Sequence, residues 1–482
     1  MTDMVEKIVD SRVTWEGCSV ILDINNGDRI VFARLNPSST LKIGKKVCSL
    51  SPLIGCPFGS LFQLECGVNG PYLSRVSRSL TGASKSEDQN DCKTKDNRAL
   101  VDSNTAQTLS GDDIDVMRRE GATGEQIIEA LIANSSTFQT KTAFSQEKYI
   151  LRKQKKYAPT VLLRRPFTRS ICEAYFKKLP ARIGFLRMDT ISLLLSMANV
   201  SISLDVLVVD MVGGILTGAA AERLGGTGYV CNTHLGTKQY PMDIVGIFNF
   251  DKAISSRIVR SSLSDLHLAK KSSEAHISNE NLHSMKLLGN DGHSLESSNG
   301  PISIVKESLV QEENSSHQCS STTLSSESEQ STSMDLDTCF KKCSNSVDEN
   351  KDPSSLKVSK SLKPGRQASE EEIKLWKENG FTSLIVAAPE LDPWNAIQEL
   401  LPLLSYSAPF AIYHHYLQPL AICMHNLQVK QMAIGLQISE PWLREYQVLP
   451  SRTHPQMQMN SFGGYILSGT RVFNSESEQG ST

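Results

Sequence analysis

The chain has 482 residues, with 50 Lys and Arg against 52 Asp and Glu and a formal net charge of −2. This length supports roughly two or three domains with hydrophobic cores, and the near-neutral total gives no overall signal for a nucleic-acid or membrane partner. The first residues, MTDMVEKIVDS, lack the apolar core of a signal peptide. No apolar run approaches the ~20 residues of a membrane-spanning helix. We therefore expect a soluble protein that is not secreted and has no membrane partner.

The 11 cysteines are scattered along the chain, which is typical of a reducing, intracellular compartment. Cys339 and Cys343 lie close together in a polar tract, but no second ligand pair stands at zinc spacing. We expect no metal site.

The pattern at 13–73 predicts a small antiparallel barrel or sandwich, and we assign residues 1–73 to an N-terminal β-barrel domain. The strand-like runs VILDI and RIVFARL flank NNGD, in which the step from Asn26 to Gly27 is a strong hairpin signal. Residues 74–108 are polar and aperiodic, which predicts a disordered insertion.

Residues 109–188 predict a helical and basic connector. Ser110 can cap one helix, and Thr123 with Gln126 forms the capping-box pattern of a second. From Lys141 to Arg187 the chain has 13 Lys and Arg but only two acids. This is a strong local excess of positive charge in a chain that is nearly neutral overall.

The basic stretch also contains aromatic residues, among them Tyr149, Tyr157 and Phe167. Cations neutralise phosphates and release counterions, and aromatic rings can stack on unpaired bases, so the pattern predicts RNA contact. It is also compatible with a solvated charged helix, or at residues 152–156 with a nuclear import signal. The residues we predict to bind RNA here are Lys141, Lys148, Arg152, Lys153, Lys155, Lys156, Arg164, Arg165, Arg169, Arg182 and Arg187.

From residue 189 helix-like and strand-like segments alternate, which predicts an α/β domain with a parallel sheet. Its first half covers 189–261. Residues 262–369 are Ser-rich and aromatic-poor, which predicts a disordered insertion inside the domain. The α/β pattern resumes over 370–473, and 474–482 form a tail.

A short Gly-containing turn follows the first predicted strand of the α/β domain and indicates whether the domain can bind a cofactor. The stretch VVDMVGGILTGAAAERLGG has a strand ending in Asp210, a Gly-containing turn and a helix. Nucleotide-binding turns need glycines for positive φ and for close approach of the ligand, but Val212 and Leu216 occupy two of these positions and only Gly214 is in register. The next strand has Asn232 where a cofactor ribose would meet an acid. Because two parts of one site are changed, the pattern favours a lost cofactor site over a working variant. An ordinary βα turn of an α/β core is the alternative.

These residues carry a resemblance that covers all of the chain except the two low-complexity segments. SSTFQTKTAFSQEKYILRKQKKY, the turn LVVDMVGGILTGAAAERLGG and the C-terminal WLREYQVLPSRTHPQMQMNSFGGYILSG are similar to the non-catalytic subunit of the eukaryotic tRNA adenine-58 N1-methyltransferase. The resemblance implies a β-barrel domain followed by a degenerate Rossmann-like methyltransferase domain. It also implies a nuclear protein with two partners, tRNA and an active paralogous subunit, assembled as a two-plus-two heterotetramer.

The resemblance aligns particular residues with the active partner's motifs. That partner's turn opens with E-x-G-x-G-x-G, against which this chain has Asp210, Val212, Gly214 and Leu216. The catalytic Asp of its D-L-P motif aligns with Ala387. We therefore expect no catalytic and no cofactor-binding residues in this chain, with S-adenosylmethionine bound by the partner.

A C-terminal segment, PWLREYQVLPSRTHP, interleaves aromatic and basic side chains, which suits a flipped or splayed nucleotide. The alternative is that Trp442 and Tyr446 pack a helix against the sheet. No catalytic or metal role follows for His414, His415 or His454. The residues we predict to bind RNA here are Trp442, Arg444, Tyr446 and Arg452.

Our leading hypothesis is a non-catalytic, tRNA-binding subunit of the complex that forms N1-methyladenosine at position 58 of the tRNA T-loop. The alternative is a self-sufficient S-adenosylmethionine-dependent RNA methyltransferase with a divergent turn. A nucleotide-binding dehydrogenase is disfavoured, because G-x-G-x-x-G is not present.

Overall fold

A computed structural model describes residues 12–67, 70–76, 107–267, 364–448, 453–457 and 462–473. The predicted insertions at 74–108 and 262–369 fall mostly outside these described residues, and the predicted tail at 474–482 and the Cys339–Cys343 pair fall wholly outside them. All described residues belong to one compact unit.

The N-terminal region consists of an antiparallel sheet and a separate hairpin around one core. The hairpin pairs β3 (Thr40–Ile43) with β4 (Lys46–Ser49). The five strands of the sheet are β1 (Ser19–Ile24), β2 (Arg29–Arg34), β5 (Leu61–Gly67), β6 (Gly70–Arg75) and β7 (Thr160–Arg164). Their order is β2-β1-β7-β5-β6, and no pairing between β2 and β6 closes a barrel in the part of the chain that is described. The predicted β1–β2 hairpin is confirmed.

The predicted domain boundary at residue 73 is wrong, because the middle strand of this sheet lies within the predicted connector. Strand β7 pairs antiparallel with both β1 and β5. Its alternate residues Val161 and Leu163 are fully buried in the same core as Leu22 and Phe62. This alternation of buried and partly buried residues is only five residues long and is flanked by basic residues. The sequence was therefore assigned to a basic connector and the strand was not predicted.

Three helices follow the first sheet strands, and they are α1 (Gly111–Arg119), α2 (Gly124–Ala133) and α3 (Ala143–Tyr157). Both predicted caps are confirmed, since the Ser110 and Thr123 side chains accept hydrogen bonds from the third backbone N–H of α1 and α2. A small core of Ile114, Leu131 and Tyr157 joins the three elements.

An eight-stranded sheet organises the rest of the chain. Its strands are β8 (Asp205–Asp210), β9 (Tyr229–His234), β10 (Ile258–Ser262), β11 (Arg366–Gln367), β12 (Ser383–Ala387), β13 (Pro409–His414), β14 (Ala433–Ser439) and β17 (Tyr465–Arg471). The order is β11-β10-β9-β8-β12-β13-β17-β14. The first six strands are parallel as predicted, but β17 runs antiparallel to β13 and β14. The prediction of a parallel sheet is therefore wrong at this edge.

Helices cover both faces of the sheet, and they are α4 (Thr168–Lys178), α5 (Met188–Met197), α6 (Ile215–Leu224), α7 (Lys252–Ser256), α8 (Leu263–His267), α9 (Glu370–Asn379), α10 (Pro393–Leu400) and α11 (Leu417–Val429). Along β8, Val206 and Val208 enter one core while Leu207 and Val209 enter the other. Burial on both faces explains why β8 is apolar at every central position.

The predicted limits of two segments are corrected by these elements. Residues at both ends of 262–369 are ordered, since α8 starts at Leu263 and β11 pairs with β10 at the sheet edge. The α/β core also begins before residue 189, because Ile171 and Tyr175 of α4 lie in it. Across the described ranges, no helix is long and apolar enough to cross a bilayer.

Candidate functional site

The strand order reverses at β8 and β12, and the crevice beyond their carboxyl ends is where open α/β sheets bind ligands. Asp210 ends β8 there and is fully buried. Its Oδ1 accepts hydrogen bonds from the N–H groups of Val212 and Gly214, both at 3.0 Å. Its Oδ2 accepts from the N–H of Thr217 at 2.9 Å and from the Thr217 hydroxyl at 3.0 Å. Burial raises the pKa of this carboxyl, against the opposing effect of the four donors.

The position predicted for a ribose-binding acid belongs to the same internal network. Asn232 of β9 is 3 % exposed, and its Nδ2 donates to the Thr217 hydroxyl at 2.8 Å. Its amide is therefore directed at this chain's own turn. Both polar groups that would face a cofactor are used to hold the turn together.

The space in front of the turn glycines is filled by the segment that follows β9. Gly213 and Gly214 adopt φ of +80° and +91°. A Cβ on Gly213 would lie 2.8 Å from Ile244 Cδ1, and one on Gly214 would lie 2.8 Å from Met242 Cα. Ile244 and Val245 are 0 % and 1 % exposed, and the Ile244 N–H donates to the Gly213 carbonyl at 3.2 Å. This segment therefore packs directly against the backbone of both turn glycines.

Val212 is accommodated in the turn without a positive φ angle. The positive φ angles of the turn belong to its glycines, and Val212 is not among the residues with positive φ. Its Cγ1 packs so closely on Gly184 that a Cβ there would lie 2.6 Å away. Leu216 is fully buried in the same core. The two substituted positions thus serve packing.

The position of the expected catalytic acid is apolar and closed. Ala387 is fully buried, pairs with Asp210 across the two parallel strands, and its carbonyl accepts from the Met211 N–H at 3.0 Å. Nearby, the Tyr413 hydroxyl donates to the Gly184 carbonyl at 3.0 Å. No proton acceptor is present at Ala387 itself.

Sequence reasoning missed the residues that pack on the turn glycines. The run DIVGIF, residues 243–248, is apolar where a cofactor loop would be polar and small, and this was the available signal. A Cβ on Gly218 of α6 would lie 2.4 Å from the Phe248 ring. Phe248 is thereby fixed against the helix that begins at the turn.

Helix α3 has an exposed cationic face. Lys148, Arg152 and Lys156 stand four residues apart, which places them on one side of the helix. All three are exposed and none has an ion pair within the described ranges. Lys153 is only partly exposed and lies on two aromatic rings, with Nζ 5.1 Å from the Tyr149 centroid and 5.9 Å from that of Tyr157. Lys156 also lies near a ring, with Nζ 5.1 Å from the Tyr157 centroid, but is exposed. Three predicted cations are therefore available to phosphates on one face.

The other predicted basic residues are in mixed environments. Arg165 is exposed, and Lys141 Nζ lies 5.7 Å from the Tyr149 ring centroid. Four cations pair with carboxylates of this chain: Lys155 with Asp28 at 2.7 Å, Arg164 with Glu173 at 2.7 Å, Arg169 with Glu173 at 2.7 Å, and Arg182 with Asp243.

The prediction that Arg187 binds RNA is wrong. Its side chain lies in the core, 8 % exposed, and its Nε donates to Asp189 Oδ1 at 2.9 Å. Gly463 packs on it so closely that a Cβ there would lie 3.3 Å from Arg187 Cζ. A count of charges along the sequence does not distinguish such a buried ion pair from a surface cation.

The C-terminal aromatic and basic residues lie on the surface. Residues 441–445 are not helical, and β15 (Tyr446–Gln447) pairs with β16 (His454–Pro455) in a small hairpin. Trp442 and Tyr446 are 70 % and 56 % exposed, so the alternative that they pack a helix against the sheet is wrong. Arg444 is exposed, and Arg452 lies outside the described residues. RNA binding by this segment stays a prediction.

These features define a doubly wound, Rossmann-like α/β domain, in which Ile244, Met242 and Val245 pack on the turn glycines after β8, joined to a basic N-terminal region. Residues 15–299 match the Gcd10p family. The chain belongs to this family.

Two curated relatives extend the match across nearly the whole chain. The tRNA (adenine(58)-N(1))-methyltransferase non-catalytic subunit trm6 of Dictyostelium discoideum is 32 % identical over 467 residues, covering 96 % of this chain and 80 % of the relative. The protein of the same name from Mus musculus is 30 % identical over 465 residues, covering 93 % and 88 %. Among solved structures, a SAM-dependent O-methyltransferase from Thermotoga maritima is 10 % identical with a TM-score of 0.42, covering 96 % of each chain.

Proposed function

We propose that this chain is the non-catalytic, tRNA-binding subunit of a tRNA (adenine-58-N1)-methyltransferase, which forms N1-methyladenosine in the T-loop. The observation that carries the proposal is the closed turn after β8, where Ile244 and the backbone of Met242 abut the turn glycines. The proposal is supported by two relatives named as this non-catalytic subunit, each of which matches this chain over at least 80 % of its own length.

The active paralogous partner supplies the chemistry. Methyl transfer to adenine N1 needs a cofactor held with its methyl group in line with the nitrogen, and a group positioned to accept the proton. This chain has Ala387 at the position of the acid and a filled crevice at the position of the cofactor. S-adenosylmethionine is therefore bound by the partner, and this chain acts only while it is held against that partner.

This chain contributes a surface for RNA. Lys148, Arg152 and Lys156 of α3 form an exposed cationic face that can neutralise phosphates. Folded RNA is recognised mostly by its shape and backbone, so two unlike subunits can share one tRNA. The complex contains two copies of each subunit and works in the nucleus, where residues 152–156 can also serve as the import signal.

Purification of the tagged chain from cells tests this proposal. We expect a stoichiometric paralogous methyltransferase with an E-x-G-x-G-x-G turn, together with tRNA. Recovery of the chain without such a partner, and with S-adenosylmethionine bound to it, would support the self-sufficient enzyme instead.

A further inference from the structure

A second cationic site lies where β4 to β6 of the N-terminal region meet α1, α2 and the end of α3. A cavity of about 600 Å³, which we call the α1–β5 pocket, is lined there by Lys46, Cys66, Tyr72, Arg118, Arg119 and Tyr157. Pockets of ~300–1,000 Å³ accept ligands of small-molecule size. The RNA surface described above does not include this pocket.

The charge of the α1–β5 pocket is predominantly positive. Lys46 and Arg119 have no ion pair within the described part of the chain, and Lys46 Nζ lies 2.6 Å from Cys66 Sγ. Arg118 pairs with Asp115 at 3.0 Å and its Cζ stands 5.4 Å from the Tyr157 ring centroid. Two cations are therefore left for an anionic ligand.

The pocket also offers an aromatic surface. Tyr72 is 46 % exposed, and its hydroxyl donates to Glu65 Oε2 at 2.7 Å, which fixes the ring. The same hydrogen bond occupies an oxygen of the one acid that lines the pocket. A fixed, exposed ring beside two cations matches the way proteins hold an unpaired nucleotide, with the base stacked and the phosphate neutralised.

The pocket is continuous with the cationic face of α3. Tyr157 is the last residue of α3 and lines the pocket. Lys156 Nζ lies 5.1 Å from its ring centroid. Lys156, at one end of the cationic face, is therefore adjacent to a residue that lines the pocket.

We propose that the α1–β5 pocket binds one unpaired nucleotide of the bound tRNA, with its phosphate on Lys46 and Arg119 and its base on Tyr72. This inference rests on the proposed function, because it needs tRNA as the ligand. It goes further by adding residues of the N-terminal hairpin and of α1 that charge patterning along the sequence did not select.

Variants in the reconstituted two-subunit complex test the assignment. Lys46→Ala with Arg119→Ala should lower the log–log salt slope of tRNA affinity by ~0.7–0.9 for each lost phosphate contact. Lys252→Ala with Lys374→Ala removes the same charge from exposed helix positions of the α/β domain and should leave the slope unchanged. Tyr72→Ala should weaken binding ~5-fold or more. Tyr72→Phe keeps the ring but frees the Glu65 carboxylate, so its affinity should lie between those of Tyr72→Ala and the wild type. Equal slopes for the two double variants would overturn the proposal.

Thiol modification gives a readout that does not depend on folding of the variants. Cys66 lies in the pocket, and Cys56 is also partly exposed but does not line it. Saturating tRNA should slow N-ethylmaleimide labelling of Cys66 several-fold, measured by peptide mass spectrometry, and leave the labelling of Cys56 unchanged.

Unprotected Cys66 in a complex that binds tRNA would overturn the assignment of the pocket, while the proposed function would stand. A wild-type complex that binds tRNA no better than the active partner alone would overturn the proposed function. Equal protection of Cys66 by adenosine or uridine monophosphate would assign the pocket to free nucleotides.

Discussion

At the scale of single residues, the buried Asp210 carboxylate stabilises the turn after β8. Its carboxylate accepts four hydrogen bonds from the turn that it precedes. We expect Asp210→Ala to destabilise the chain by ~3 kcal/mol or more, because it leaves several buried donors unpaired. Asp251→Ala removes an exposed helix cap that accepts from Ile254 N–H at 2.8 Å and should cost only ~1 kcal/mol. Urea unfolding distinguishes the two, and equal losses would contradict the assigned role of Asp210.

The residues that pack on the turn after β8 should prevent this chain from binding S-adenosylmethionine. The isolated chain should not bind S-adenosylmethionine, and Val212→Gly with Leu216→Gly should not restore binding. The reason is that Met242, Ile244 and Val245 abut the turn glycines and fill the crevice. Calorimetry at millimolar ligand should give no heat of binding for either protein. A clear heat with the wild-type chain would mean that the crevice opens and the site works.

A glycine contact checks how tightly the crevice is filled. Gly218→Ala would place a Cβ 2.4 Å from the Phe248 ring. We therefore expect a lower melting temperature, although Ala normally stabilises a helix by ~1 kcal/mol relative to Gly. Gly111→Ala at the start of α1 meets nothing within 4 Å and is the matched control. A stabilised Gly218→Ala variant would contradict the packing of Phe248 on α6.

At the scale of secondary-structure elements, α3 is the main test of RNA contact. Replacing Lys148, Arg152 and Lys156 with Ala should weaken tRNA affinity and lower the log–log salt slope by ~0.7–0.9 per phosphate contact. The structure selects these three because Lys155 is paired with Asp28. Filter binding across a salt series measures the slope. An unchanged slope together with lost nuclear accumulation would favour the import signal as the role of this helix.

An ion pair between Arg366 of β11 and Glu372 of α9, which we call the Arg366–Glu372 clamp, should make stability depend on pH. Burial alone would raise the pKa of Glu372, but hydrogen bonds from the Arg366 guanidinium and the Ser369 N–H lower it to about 2. A carboxyl with a lowered folded pKa contributes stability above its unfolded pKa, and this contribution is lost as pH falls toward the folded value. From about pH 5 to pH 3 the wild type should therefore lose melting temperature more steeply than Glu372→Gln. Glu378→Gln, at an exposed pair 3.9 Å apart, is the control, and parallel curves for wild type and Glu372→Gln would contradict the clamp.

The elements also show what the sequence could and could not predict. Local chemistry sufficed for the helix caps at Ser110 and Thr123 and for the β1–β2 hairpin, since each depends on neighbouring residues. Strand β7 was missed because its partners β1 and β5 are distant in sequence. The antiparallel β17 and the filling of the crevice by Ile244 are likewise long-range events. The two substituted turn positions are visible in the sequence, but the contact between Ile244 and Gly213 is not.

At the scale of the whole molecule, the segment between α8 and β11 should be dispensable for folding. Its composition predicts disorder, and the ordered ends set the deletion at 268–363 rather than at 262–369. Replacing 268–363 with a Gly-Ser linker of about 12 residues leaves enough chain for the parallel connection from β10 to β11. The melting temperature of the purified complex should be almost unchanged, and a large fall would show that the segment contributes to the core.

We propose that this chain binds tRNA for an active partner and has no catalysis of its own. Reconstitution from separately purified subunits, with labelled S-adenosylmethionine and unmodified tRNA, tests it directly. We expect feeble methylation by the partner alone and none by this chain, including its Ala387→Asp variant. The mixture should regain activity mainly through tighter tRNA binding. Methylation by this chain alone at a rate near that of the mixture would contradict the account.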